Sequence, residues 1–143
     1  MNVEEHALPE YAKQFVESLP TEEGKQAYVV NLFGDLGAGK TAFVQAVSKE
    51  LGVTESVTSP TFVIMRRYEL NHTLFKQLVH IDAYRLSPSD SDTIGWTSYR
   101  DAPNAIVFIE WPEHMPGGTP KAARTIEFTV TGEHERRIEE KIV

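Results

Sequence analysis

An α/β fold with a mixed β-sheet follows from three features of this 143-residue sequence. A short apolar run, "AYVVNLF" at residues 27–33, stops at the glycine-rich stretch "GDLGAGKT". An apolar pattern with helical period follows that stretch at once. Two further apolar runs, "LVHID" and "AIVFIE", end in acids and read as buried strands. Strand, glycine-rich loop and helix in this order predict a three-layer P-loop nucleotide-binding domain.

The elements follow in order. Pro9 sits where a helix can start, and Tyr11, Ala12, Phe15, Val16 and Leu19 follow at helical spacing. Residues 27–33 form a buried strand. Phe43, Ala46, Val47 and Leu51 mark one face of the helix after the loop, and Gly52 is placed to stop it. Phe62, Ile64, Tyr68 and Leu70 alternate, "NH" at 71–72 can turn, and a second run reaches Asp82. That pattern predicts an antiparallel hairpin. "SPSDSD", residues 87–92, is loop-like and suited to cap a short helix. Residues 105–110 are another buried strand, and "PEHMPGGTP" is a loop. Ile126, Phe128 and Val130 alternate, and "RRIEEKIV" can pair with them across a turn at Gly132.

The length fits one domain over residues 1–143, without repeats or linkers, large enough to bury roughly 68% of its unfolded surface. There are no cysteines, which excludes disulfides, thiolate zinc sites and cysteine nucleophiles and favours a reducing compartment. No basic, apolar signal stretch opens the sequence, and no apolar run approaches the roughly 20 residues of a membrane span. A cytoplasmic protein is the expectation. With 14 basic and 21 acidic side chains the net charge is −7, a poor basis for autonomous nucleic-acid binding. The basic pairs Arg66–Arg67 and Arg136–Arg137 read as isolated.

Gly34, Gly39, Lys40 and Thr41 fit G-x-x-x-x-G-K-[ST]. Glycines let backbone N–H groups wrap phosphate oxygens without Cβ clashes. Lys40 supplies charge to the outer phosphates, Thr41 offers a hydroxyl to Mg²⁺, and the following helix adds the positive end of its dipole. Chance produces this pattern in a chain of this length on the order of once in a few hundred cases.

A P-loop enzyme needs a strand-end acid to hold or orient Mg²⁺. Asp82 and Glu110 are the two candidates. In a strand, His80, Asp82 and Tyr84 share one face. One histidine without cysteines makes poor zinc ligation, so His80 reads as structural. Glu110 is suited to order a water or to assist the metal; Trp111 after it is either a core aromatic or a ring over the site. "TSPT", residues 58–61, lies where a nucleotide switch keeps its first mobile loop, or is simply a hydroxyl-rich turn.

"GDLGAGKT", "VTSPTF", "HIDAYRL" and "IEWPE", in this order and spacing, resemble the bacterial TsaE family, also called YjeE. The resemblance implies a small Mg²⁺-dependent ATPase of tRNA N6-threonylcarbamoyladenosine (position 37) synthesis. Its partners would be TsaB and TsaD, its contact with tRNA only indirect, and its own hydrolysis slow and partner-stimulated. It implies that Gly34, Asp35, Leu36, Gly37, Ala38, Gly39, Lys40, Thr41 and Ala42 hold ATP. Thr41, Asp82 and Glu110 serve the metal, and Glu110, Asp82 and Lys40 serve catalysis. Thr61 reaches the γ-phosphate or Mg²⁺, and Trp111 lies near the nucleotide. Where the family often has a second threonine after GKT, this chain has Ala42, and a hydroxyl contact to the α-phosphate is lost.

Three other readings compete. A small-molecule kinase usually carries an arginine-rich lid and an acceptor pocket, for which this chain is short, and the hairpin interrupts a βαβ repeat. A GTPase would carry N-K-x-D, and no Asn here is followed by Lys. A nucleotide-gated interaction module without significant hydrolysis would share the same loop.

Overall fold

The structure is a computed structural model that describes residues 2–55, 57, 64–92 and 94–141. The chain forms β1 (Asn2–Glu4), α1 (Leu8–Glu17), β2 (Tyr28–Phe33), α2 (Lys40–Glu50), β3 (Met65–Glu69) and β4 (Gln77–Asp82). There follow α3 (Trp96–Arg100), β5 (Ala105–Glu110), β6 (Arg124–Gly132) and β7 (Glu135–Lys141). Short 3₁₀ turns occupy Glu5–Ala7 and Pro112–His114.

The strands make one mixed sheet in the order β1-β7-β6-β2-β5-β4-β3. β2 runs parallel to β5 and β6, and β4 runs parallel to β5. The β3–β4, β6–β7 and β1–β7 pairs are antiparallel. β5 sits between two parallel neighbours and is buried at all six positions, which is why its sequence is a nearly unbroken apolar run.

α1 and α2 cover one sheet face. Pro9 stands in the first turn of α1, where its missing N–H costs nothing, and Ala12 and Phe15 point inward. The core of this face centres on Phe43. Its ring meets Phe15 edge-on at 5.2 Å, Phe128 at 5.6 Å and Phe108 at 6.1 Å. Phe43 belongs to the first turn of α2, so this cluster also anchors the loop before it. Truncating such a fully buried ring to Ala costs about 3–5 kcal/mol.

The third layer is thinner. α3 and the Pro112–His114 turn cover the opposite face, with Trp96 and Met115 packed against Val79, Ile81, Val107 and Ile109. As "SPSDSD" suggested, Asp92 caps the short helix, accepting from the N–H groups of Trp96 at 3.1 Å and Thr97 at 3.0 Å.

The hairpin connection is longer than a turn at 71–72. It spans residues 70–76, and the Nδ1 of His72 accepts from the N–H groups of Leu74 and Phe75, both at 3.1 Å. The local cue at 71–72 was real, but the apolar Leu74 and Phe75 belong to this loop and not to the strand. Phe75 packs into the helix-side core instead. Among the described residues no helix is long and apolar enough to cross a membrane.

Candidate functional site

β2 ends at Phe33, and the chain leaves the sheet through Gly34. A side chain there is barred, because its φ is +145° and an added Cβ would lie 2.6 Å from the Phe128 carbonyl oxygen. The loop then turns through Gly37 and Gly39, both with positive φ, into the first residue of α2, Lys40.

Lys40 is buried with only 4% exposure. Its Nζ donates to the Gly34 carbonyl and stands 4.0 Å from the centre of the Trp111 ring. Burial pushes the ammonium below its ordinary value, against the opposing pull of Glu110, Asp82, Glu113 and Asp35.

Parallel pairing of β4 and β5 sets Asp82 directly opposite Glu110. Glu110 is buried, and Thr41 Oγ1 donates to its Oε2 at 2.9 Å and its Oε1 at 3.2 Å. His80, one alternation before Asp82 on the same face, has its Nε2 2.5 Å from Glu110 Oε2. Asp82 Oδ1 accepts from the Tyr84 N–H at 3.0 Å. Burial raises the Asp82 carboxyl above its usual range; the Tyr84 N–H opposes this, Glu110 adds to it, and His80 and Lys40 oppose it.

Trp111 adopts left-handed backbone, φ +58° and ψ +52°, the one non-glycine residue with positive φ among those described. That turn carries its indole back over the loop. The ring stacks on His114 at 5.4 Å and meets Tyr84 at 5.1 Å. Of the two sequence readings of Trp111, a core aromatic or a ring over the site, the placement accords with both: the ring packs against the cluster around Val79, Ile81 and Val107 and also lines the cleft over Lys40.

These groups line a cleft of about 530 Å³, within the usual range for small-ligand sites. Leu36, Gly37, Gly39, Lys40, Thr41, Ala42, Asp82, Glu110 and Trp111 face it. Gly34, Asp35 and Ala38 shape the loop from behind: Ala38 is buried and its N–H bonds the Asp35 carbonyl at 3.1 Å. Thr61 and the whole segment 58–61 lie outside the described residues.

The other wall was not foreseen. Val3, Glu4, Leu8, Phe128, Arg136 and Ile138 complete the cleft from β1, α1, β6 and β7. Strand alternation splits the pair read as isolated: Arg136 turns to the loop, its Nη2 3.4 Å from the Gly37 carbonyl, while Arg137 lies 4.0 Å from Glu139. No local sequence signal joins position 136 to position 37; only the sheet order does. His80, read as structural, is buried and contacts Glu110, a partner that no local sequence signal indicated.

A hydroxyl and two carboxylates converging beside a phosphate-type loop are hard oxygen donors, the set that suits Mg²⁺ shared with substrate phosphates. Among the described residues no group of three His, Cys, Asp or Glu side chains is placed to hold a metal ion.

A family model described as "Threonylcarbamoyl adenosine biosynthesis protein TsaE" matches residues 3–138. The tRNA threonylcarbamoyladenosine biosynthesis protein TsaE of Synechocystis is 34% identical over 114 residues, 78% of this chain and 68% of that protein. The protein of the same name from Haemophilus influenzae is 32% identical over 120 residues, 83% of this chain and 73% of that one. The crystal structure of Bacillus subtilis YdiB superposes with a TM-score of 0.67 at 25% identity, over 96% of this chain and 80% of that one.

Proposed function

The chain belongs to the TsaE family of tRNA threonylcarbamoyladenosine biosynthesis proteins, and from that premise we propose that it is a Mg²⁺-dependent P-loop ATPase. It would serve TsaB and TsaD in the cytoplasm, with residues 1–143 acting as one domain and tRNA reached only through those partners. The observation that carries this reading is the junction of the loop with the strand-end acids: Thr41 bonded to Glu110, with Asp82 in register beside it.

The residues divide the work. The loop of residues 34–42 holds the phosphates through its backbone N–H groups on the cleft side, and Lys40 places its charge on the outer ones. Thr41, Asp82 and Glu110 would hold Mg²⁺, which when bound neutralises charge developing on the γ-phosphate. Glu110, already held by two donors, also suits the ordering of a water. Trp111 shields Lys40 on one side and restricts water above the loop, which strengthens every charge interaction within the cleft. Arg136 adds a second cation at the opposite lip, and Thr61 is the candidate for a further γ-phosphate or metal contact.

The test is steady-state phosphate release from Mg-ATP, alone and across a titration of purified TsaB and TsaD. Slow release that rises with the pair is the expected result. Tight binding with no release under either condition would replace the ATPase by a nucleotide-gated interaction module. Vigorous release indifferent to the pair would point to an independent enzyme such as a kinase with an unknown acceptor.

A further inference from the structure

β4 is an interior strand, and an apolar residue would fill position 80 at least as well as an imidazole. His80 is nevertheless placed there with no solvent exposure. Burying a ring with two polar nitrogens is costly unless they are bonded. One nitrogen is: Nε2 lies 2.5 Å from Glu110 Oε2. The other, Nδ1, has no hydrogen-bond partner among the described residues. A carboxylate can only accept, so Nε2 carries the proton and donates it. The whole polar capacity this ring spends goes to one atom, and that atom belongs to the acid at the centre of the cleft.

We propose that His80 is a positioning residue that fixes the Glu110 carboxylate for the hydrolysis proposed above, on which this inference rests. Glu110 has a flexible stem, and Thr41 alone would leave its carboxylate free to swing about one bond. With His80 and Thr41 both on Oε2, at 2.5 and 2.9 Å, the group is held from two directions. Oε1 receives only the longer 3.2 Å contact from Thr41, so its remaining lone-pair capacity is available on the cleft side. Outer-shell partners of this kind typically govern metal affinity or activity by about 10–100-fold.

The experiment uses the full chain with two variants. His80→Leu keeps most of the volume and removes the donor; His80→Gln places an amide N–H near the position of Nε2. Two quantities are read: ATP affinity by calorimetry with and without Mg²⁺, and kcat and KM with TsaB and TsaD present. For His80→Leu we expect metal-free ATP affinity within about 2-fold of wild type, a loss of about 10-fold or more in both the tightening by Mg²⁺ and in kcat, and little change in KM. His80→Gln should recover most of both losses. Wild-type Mg²⁺ dependence and kcat in His80→Leu would overturn the role, as would equal impairment of the Leu and Gln variants, which would make ring shape the requirement. Should His80→Leu not fold, His80→Asn, polar but too short to reach Glu110, takes its place with the same expectations. A wild-type chain that shows neither turnover nor tightening by Mg²⁺ overturns the ATPase reading itself; a normal wild type with an unimpaired variant overturns only the role of His80.

Discussion

Thr41 and Glu110, 69 positions apart in the chain, meet through a hydroxyl that donates to the carboxylate at 2.9 Å. The contact joins the first turn of α2 to the end of β5, and the register of β4 on β5 sets Asp82 beside it. Two carboxylates and one hydroxyl therefore line the cleft as one unit.

That unit should matter more in the transition state than in binding. Glu110→Ala and Asp82→Asn are each expected to lower ATP turnover about 10-fold or more while changing ATP affinity less, because charge on the γ-phosphate develops only during reaction. Phosphate release at saturating ATP, set beside calorimetric affinities, checks this. Unchanged turnover per bound nucleotide in either variant removes that acid from the mechanism. Glu110→Ala also strips His80 of its acceptor, and a lowered melting temperature should accompany its kinetic loss, since an unpaired buried donor costs about 1–3 kcal/mol.

Lys40→Ala should abolish tight ATP binding and leave a folded protein. The substitution removes the outer-phosphate charge and also relieves the burial that lowers the ammonium pKa. The same shift carries a pH signature. A triphosphate stabilises the charged form and raises the lowered pKa again. ATP binding should therefore take up protons at alkaline pH, between the lowered value and the raised one, and none well below that window. Calorimetry in two buffers of different ionisation enthalpy measures the uptake. Equal uptake by wild type and Lys40→Ala would assign the proton elsewhere.

Arg136→Ala should weaken ATP binding about 5-fold or more, a conservative figure for losing a charge-assisted contact. Arg137→Ala is the control, since its side chain lies across the strand beside Glu139. Equal affinities for the two variants would show that Arg136 merely packs the loop through its contact with Gly37.

What could be read from the sequence follows from how local each feature is. β2, the glycine loop and α2 are continuous in the chain, and their order is written in residues 27–51. Asp82 and Glu110 stand out because each ends an apolar strand, and the parallel register then makes them neighbours. The cleft's other wall has no such local signature. It exists because β7 lies between β1 and β6, which brings Val3 opposite Arg136 and turns a seemingly solitary arginine toward the loop. His80 was legible as a structural residue, but its partner was not: its cross-strand neighbour in register is Phe108, and the Glu110 contact is diagonal. The alternation before Leu70 was visible, whereas Leu74 and Phe75, apolar and adjacent to β4, were indistinguishable from strand until their packing was known.

Trp111 gives the last prediction. Its indole lies over Lys40 at 4.0 Å, so any ligand that draws the ammonium toward phosphate changes the charge next to the ring. Trp96 differs in kind: it is 5% exposed and packed within the apolar cluster of Val79, Val107 and Ile109. Mg-ATP should therefore change tryptophan emission through Trp111. The signal should persist in Trp96→Phe and vanish in Trp111→Phe, each first shown to be folded by circular dichroism. The left-handed backbone at position 111 supplies a second arm. Glycine tolerates that conformation, whereas a bulky side chain there costs roughly 1–2 kcal/mol. Trp111→Gly should thus offset part of the packing lost against Tyr84 and His114, fold, and bind ATP more weakly because Lys40 loses its aromatic cover. If the emission change survives in Trp111→Phe and disappears in Trp96→Phe, nucleotide is being sensed through the apolar cluster around Trp96, and the ring at 111 has no part in the site.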